Sequence, residues 1–121
     1  MMQYEVRARS TETFGRVLVN SRNHHFVVDG PASNGCPGEA LTPAELFLAG
    51  IAACGVELVQ VIARRRQVPL EAVGAVVSGR IDLNQPVRPD LTLFNGIRLE
   101  FLLKGVTSEQ GAELVAAFKR R

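Results

Sequence analysis

The chain has 121 residues, 46% of them hydrophobic and 21% charged, which is an ordinary composition for one globular domain. A formal net charge of +2, with basic residues scattered along the chain, argues against a nucleic-acid-binding surface. The first residues contain no apolar segment of the kind that export requires, and only two cysteines are present. These features lead us to expect a cytoplasmic protein in a reducing setting.

Three short strands are predicted at the beginning of the chain. Residues 3–10 alternate between apolar and polar side chains, which is the pattern of a half-buried strand. Residues 16–20 and 25–29 give two further strands, separated by turn-forming residues, so we expect an antiparallel meander. Residues 30–40 contain three glycines and two prolines and are predicted to form a loop, with Cys36 inside it.

A long apolar helix is predicted to follow. Thr42 can cap its first turn, Pro43 suits the first helical position, and Glu45 can complete a capping box. Between residues 46 and 63 the only polar side chains are those of Glu57 and Gln60. A helix that is apolar nearly all round is expected to be buried on most sides.

Two consequences follow from this helix. A chain of 121 residues has little surface with which to cover it, so we expect a partner subunit. Its apolar stretch of 18 residues is at the lower limit for a membrane span. The polar residues near its end and the amphipathic strands on both sides favour the core helix of a soluble protein, and we expect no membrane partner.

The rest of the chain supplies two longer strands and a second helix. Residues 73–83 and 92–104 are predicted strands joined by a turn-rich connection, and Gly105 ends the second one. Thr107 and Gln110 form another capping-box pattern and open an amphipathic helix that still runs at the last residue. The partial segregation of strands and helices predicts a single α+β domain, residues 1–121, with antiparallel sheet.

Residues 42–54, TPAELFLAGIAAC, resemble the central-helix signature of the OsmC/Ohr superfamily, the osmotically inducible protein C and organic hydroperoxide resistance proteins. The Asp-Gly-Pro and glycine-rich loop before this helix and the Val-Pro-Leu after it agree with that resemblance. It implies an OsmC-like fold, with antiparallel sheets wrapped around a long buried helix in an intertwined homodimer. It also implies thiol-dependent reduction of organic hydroperoxides, with an external dithiol as reductant and no bound cofactor.

The resemblance also assigns candidate catalytic residues. The family's peroxidatic cysteine matches Cys54, and its catalytic arginine, early in the chain and near a glycine, matches Arg16 best, with Arg22 as an alternative. The start of the helix lies about three turns before Cys54, too far to lower the pKa of the thiol, so activation needs a cation. A carboxylate at Glu57 would oppose that activation unless an arginine bridges the two groups. The alternative for Cys54 is an inert buried cysteine.

The sequence departs from the family pattern in two ways. The hydroperoxide-resistance branch has a glutamate directly after the helix proline, where this chain has Ala44. Glu45 lies about 100° further round the helix, so we interpret it as a helix cap. No cysteine follows Cys54, and the family's second cysteine is expected about where this sequence stops. Either the sequence is cut short or this member lacks that resolving thiol. Cys36 is a candidate non-standard resolving thiol if its loop folds over the helix, and the alternative is an incidental loop cysteine.

The remaining predictions concern ligands. Four apolar side chains are expected to shape a pocket that prefers an alkyl hydroperoxide to hydrogen peroxide: Phe47, Ile51, Leu58 and Phe94. We expect no metal, because the adjacent His24 and His25 point to opposite faces of a strand. The competing hypothesis is a non-catalytic OsmC-fold dimer that binds a hydrophobic small ligand or a partner.

Overall fold

The computed structural model describes residues 1–120. The strands are β1 (Arg7–Ser10), β2 (Arg16–Ser21), β3 (His24–Asp29), β4 (Ala72–Arg80) and β5 (Gly96–Lys104), and the helices are α1 (Pro43–Arg65) and α2 (Ser108–Lys119). Strands pair only in antiparallel fashion, which confirms the predicted α+β class. The chain divides into two compact units, Met1–Phe47 and Leu48–Arg121.

The first unit contains the predicted three-stranded meander in the order β1-β2-β3. The turn between β2 and β3 places Arg22 and Asn23 at φ values of 49° and 66°. A two-residue loop with positive φ at both positions matches the right-handed twist of the flanking strands. The register that it sets brings Arg16 opposite Asp29 at the far end of the hairpin.

Strand β1 is shorter than predicted and is exposed along its whole length. Its pairing with β2 begins at Arg7 opposite Asn20, and β2 ends one residue later. Residues 3–6 therefore have no strand to pair with, although the Ser21 hydroxyl donates a hydrogen bond to the carbonyl of Glu5 at 2.9 Å. The alternation in residues 3–10 predicted a half-buried strand, and this prediction is wrong in the single chain.

Helix α1 begins and ends with well-defined caps. The Thr42 hydroxyl accepts from the Glu45 amide at 3.3 Å while the Glu45 carboxylate accepts from the Thr42 amide at 3.0 Å, which confirms the capping box. At the other end, Gln67 takes a φ of 56°, and the amide of Val68 donates to the carbonyl of Ala63 at 2.9 Å. This is a Schellman-type ending with glutamine at the position that glycine usually occupies.

The second unit has an apolar core between α1, α2 and the β4–β5 hairpin. Its buried members are Val59, Ile62, Ala63, Leu114 and Ala117. Residues of both strands pack against them, and the rings of Phe101 and Phe118 meet edge to face at 5.3 Å. Helix α2 opens with the predicted capping box between Thr107 and Gln110. Its C-cap is Arg120, and the prediction that it continues to residue 121 falls outside the described residues.

At the connection between them, β4 ends earlier than predicted, at Arg80, and β5 begins later than predicted, at Gly96. The side chain of Asn95 accepts a hydrogen bond from the Asp82 amide at 2.7 Å and donates one to the Gln85 carbonyl at 2.6 Å. These bonds fix the chain in a loop conformation just before β5. Residues 92–95, predicted as strand, consequently lie outside the ladder, which runs from Arg80 opposite Gly96 to Ala72 opposite Lys104.

Helix α1 buries only one face within the single chain. Its buried residues, Gly55, Val59, Ile62 and Ala63, follow helical spacing, and 22% of its most apolar 18-residue stretch is buried. The prediction of burial on most sides is therefore wrong for one chain, because the hairpin and α2 cover a single face. Among residues 1–120, α1 is the one helix whose length and composition would suit a membrane span, a property that core helices of soluble proteins share.

Candidate functional site

The first unit places a paired guanidinium and carboxylate where β2 begins and β3 ends. Arg16 donates from Nε to Oδ1 of Asp29 at 2.8 Å and from Nη2 to Oδ2 at 2.9 Å. The antiparallel register sets these residues directly opposite each other, so the backbone itself brings the two side chains together. Two parallel hydrogen bonds fix the plane of the guanidinium as well as its position.

Asp29 is fully buried and its carboxylate is saturated with donors. Besides Arg16, the backbone amides of Glu39 and Ala40 donate to Oδ2 at 3.0 and 2.9 Å. The hydrogen bonds from Arg16 lower the pKa of Asp29 far below its usual range, and the two amides act in the same direction, while burial opposes them. Asp29 is therefore a carboxylate throughout the physiological pH range, and its hydrogen bonds raise the pKa of Arg16.

A second carboxylate contacts the same arginine more weakly. Oε1 of Glu39 lies 3.5 Å from Nη2 of Arg16, and the Glu39 side chain is 80% exposed, against 30% for Arg16. An exposed pair at this distance gains little from its attraction, because water screens it and two long side chains lose freedom. The orientation of Arg16 is therefore set by Asp29.

Cys36 packs against the glycines that flank this ion pair in sequence. A Cβ added to Gly15 would lie 2.3 Å from the Cys36 sulfur, and one added to Gly30 would lie 2.5 Å from it. The two glycines are also joined by a hydrogen bond from the Gly30 amide to the Gly15 carbonyl at 2.8 Å. The half-buried thiol thus occupies space that exists only because both positions lack a side chain.

Cys54 lies on α1 and is exposed in the single chain. The residue after it, Gly55, faces the core instead, where an added Cβ would lie 3.0 Å from the ring of Phe101. The alternative of an inert buried cysteine therefore does not describe Cys54 in this chain. Glu57, one turn further on, is exposed as well.

The residues around the start of α1 have separate roles. Ala44, at the position where the hydroperoxide-resistance branch has a glutamate, is exposed. Glu45 accepts hydrogen bonds from the Thr42 amide and hydroxyl, which lower the pKa of its carboxyl group. Arg22, the alternative catalytic arginine, is exposed in the β2–β3 turn, whereas Arg16 is half-buried and paired.

The predicted pocket residues differ in exposure. Phe47 is 57% exposed, and Ile51, Leu58 and Phe94 are half-buried. Phe94 lies over Gly79, where an added Cβ would come within 2.7 Å of its ring. A separate open groove of about 640 Å³ in the second unit runs between β5 and α2, and its lining includes Leu99, Phe101, Val115, Phe118 and Lys119.

His24 and His25 are both exposed on β3. Within residues 1–120, no three histidine, cysteine, aspartate or glutamate side chains are grouped closely enough to hold a metal ion.

Sequence reasoning missed Asp29, the residue with the most polar contacts in the first unit. A signal for it was present: the meander prediction places one charged residue at the start of the second strand and an opposite charge at the end of the third. Such residues meet across an antiparallel pair, where opposite charges attract. Its anchoring by the amides of Glu39 and Ala40 depends on the path of the loop, for which the sequence has no periodic signal.

The fold, with its long apolar helix bearing an exposed cysteine and its antiparallel sheets, defines the class of protein. A family model described as OsmC-like protein matches residues 36–121. The chain therefore belongs to the OsmC-like protein family, as the resemblance of residues 42–54 indicated. The comparison with curated protein sequences gives no match.

Solved structures confirm the OsmC-like fold. An OsmC-like protein from Mycoplasma pneumoniae superposes with a TM-score of 0.84 at 16% identity, covering 99% of this chain and 82% of that one. An organic hydroperoxide resistance protein OsmC from Legionella pneumophila gives 0.77 at 22% identity, covering 99% and 84%. An organic hydroperoxide resistance protein from Elizabethkingia anophelis gives 0.80 at 18% identity, covering 99% and 83%.

Proposed function

We propose that this OsmC-like protein reduces organic hydroperoxides with the thiol of Cys54 and is regenerated by an external dithiol. The observation that carries the proposal is the exposure of Cys54 on the central helix, at the position that matches the family's peroxidatic cysteine. Thiol chemistry requires an accessible sulfur, and the fold of the chain turns this sulfur away from the core. Three of the similar solved structures are organic hydroperoxide resistance proteins by name.

The reaction follows from the chemistry of a thiolate and a peroxide. The Cys54 thiolate attacks one peroxide oxygen, the O–O bond breaks, and the other oxygen takes a proton and leaves as an alcohol. Sulfur is oxidised by two electrons to a sulfenic acid while the peroxide is reduced. A second thiol then attacks the sulfenic sulfur, water leaves, and a disulfide forms, which the external dithiol reduces.

Arg16 is our proposed cation for this reaction. A guanidinium beside Cys54 would favour the thiolate and polarise the peroxide bond. Its support is the fixed orientation that the bidentate contact with Asp29 gives it, in contrast to the exposed Arg22. Cys36 is the proposed resolving thiol, since it is the other cysteine of the sequence and is half-buried. The pocket proposed for the alkyl group comprises Phe47, Ile51, Leu58 and Phe94.

We also propose that the protein acts as a cytoplasmic homodimer. The outward face of the β4–β5 hairpin, with Val76 at 67% and Leu102 at 69% exposed, favours cover by a second copy. Apolar surface of this extent is unusual on a monomer. The two unpaired cysteines are consistent with a reducing compartment.

The test is turnover of tert-butyl hydroperoxide with dithiothreitol, measured for the wild type and Cys54→Ser. We expect turnover in the wild type and none above the uncatalysed rate in the variant, because serine cannot form a sulfenic acid. Cys36→Ser separates the roles of the two thiols. It should still release alcohol from one equivalent of peroxide while slowing later turnovers. Equal rates for the wild type and Cys54→Ser would refute the proposal.

A second candidate function is binding of a hydrophobic ligand without chemistry, and the groove between β5 and α2 favours it. Its volume of about 640 Å³ lies within the usual range for small-molecule sites, and its lining is mainly apolar. Ala112 also lines this groove, so a tryptophan there would fill it. Absence of turnover, together with saturable binding of a fluorescent fatty acid that Ala112→Trp abolishes, would favour this function over the peroxidase.

A further inference from the structure

We propose that Asp29 is the positioning residue of the reaction, a buried carboxylate that acts through Arg16 by holding its guanidinium in one orientation. The inference rests on the proposed function, since it concerns the cation that serves Cys54. It assigns a role to a residue outside the helix and outside the pair of thiols.

The hydrogen bonds leave one edge of the guanidinium for a ligand. Asp29 occupies Nε and Nη2 at 2.8 and 2.9 Å. Within residues 1–120, Nη1 makes no hydrogen bond or ion pair in the structure. A planar guanidinium bound along one edge presents its remaining donors in a fixed direction, which a single-point contact does not achieve. The free donors of Arg16 are therefore preorganised for an oxygen-bearing ligand.

The anchor is itself rigid. Asp29 has no exposed surface, and its Oδ2 accepts from the amides of Glu39 and Ala40 as well as from Arg16. Its own amide donates to the carbonyl of Leu41 at 3.0 Å. These contacts restrict the carboxylate to one rotamer and join the ends of β2 and β3 to the loop after them. A cation fixed on such an anchor needs little reorganisation when charge develops at a reacting oxygen.

Other carboxylates of the first unit do not perform this task. Glu39 reaches Arg16 only at 3.5 Å from an 80% exposed side chain. Glu45 is bound to Thr42 in the capping box, and position 44 has no carboxylate. Asp29 is thus the carboxylate that sets the direction of the Arg16 fork.

The experiment is a double-mutant cycle on kcat/KM for tert-butyl hydroperoxide with Asp29→Asn, Arg16→Gln and the pair. We expect Asp29→Asn to lower kcat/KM by about 10- to 100-fold, mainly through kcat, because a misdirected group loses that much. In the Arg16→Gln background the same change should have little further effect, since Asp29 acts through Arg16. The matched control is Asp90→Asn, which removes an exposed carboxylate 2.7 Å from Arg88 and should keep wild-type activity.

Circular dichroism at the assay temperature verifies that each variant is folded. Arg16→Lys carries the test if Asp29→Asn does not fold, since lysine keeps the charge but cannot form the two parallel bonds. Its activity should then fall about as far as that of Arg16→Gln. Wild-type kcat/KM in folded Asp29→Asn or in Arg16→Lys, or equal losses from Asp29→Asn in both backgrounds, would overturn the inference. Absence of Cys54-dependent turnover in the wild type would instead refute the proposed function.

Discussion

The two compact units of this chain are stabilised by different kinds of interior. In Met1–Phe47 the buried side chains are Val19, Val28 and Asp29, and the last of these is charged. In Leu48–Arg121 the buried cluster is wholly apolar, and a pair of aromatic rings packs against it. The interior of the first unit therefore combines two apolar side chains with a hydrogen-bonded charge, whereas the interior of the second is formed by apolar surface removed from water.

The contrast matters because the two interiors serve different ends. Apolar packing contributes stability in proportion to the area buried and tolerates some rearrangement. A buried ion pair is a weak source of stability, because both charges lose their hydration, but its geometry is strict. The first unit therefore suits the precise placement of Arg16, and the second provides a stable base for the helix that bears Cys54.

The largest effect on stability is expected in the apolar unit. Leu114 is 1% exposed, and Leu114→Ala should lower the free energy of unfolding by about 2 to 5 kcal/mol through lost burial and the cavity left behind. Chemical denaturation measures this loss. Leu83→Ala, at a site that is 75% exposed in the connection after β4, should change it by less than about 0.5 kcal/mol. Similar losses in the two variants would show that this buried apolar cluster is not the source of stability.

A smaller effect on stability is expected in the first unit, where Cys36 packs closely against Gly30. An alanine Cβ at Gly30 would lie 2.5 Å from the sulfur and 2.9 Å from the Cβ of Cys36, and overpacking of this kind costs about 1 to 3 kcal/mol. In Gly30→Ala/Cys36→Gly the clash is gone, so thermal melts should show partial recovery. Gly111→Ala, where the nearest atom to the added Cβ would lie at an ordinary contact distance of 3.7 Å, is the neutral control. No recovery in the double variant would mean that the clash lies elsewhere.

The smallest effect on stability is expected from protonation of Asp29, which changes nothing at neutral pH and acts only in acid. Its pKa is lowered in the folded chain, mainly by the hydrogen bonds from Arg16. Its stabilising contribution is therefore complete above the unfolded pKa, about 3.9, and is lost progressively as the pH falls below that value towards the folded pKa. Hydrogen exchange, corrected for intrinsic rates, should show β2 and β3 losing protection below about pH 4 before α2 does. Simultaneous loss of amide protection in both units would show that Asp29 does not stabilise the first unit in particular.

Local patterns predicted the elements of this fold well where their residues interact with near neighbours. The capping boxes at Thr42 and Thr107 form as expected, because each joins residues three apart in sequence. The strand ends were less accurate. Residues 3–6 and 92–95 have the side-chain pattern of strands but do not pair, since pairing depends on where β2 ends and on the hydrogen bonds of Asn95.

The candidate site was predictable only in part. Cys54 and Arg16 became candidates through the resemblance to the family, from the helix signature and from an early glycine followed by an arginine. The partner of Arg16 was not identified, because it lies 13 residues away and meets it only across the hairpin. Cys36 was placed correctly in a loop, but its contact with Gly15 and Gly30 depends on loop conformation.

The amino-acid sequence alone predicted the α+β class, the long apolar helix with its caps, and membership of the OsmC-like protein family. These properties arise from local periodicity, from capping and from a short motif, which act within a few turns of chain. Only tertiary structure decided that Asp29 is buried and orients Arg16. It also decided that one face of α1 is buried while Cys54 on the same helix stays exposed in the single chain. Burial and long-range pairing depend on which segments meet in space, and no local pattern encodes that.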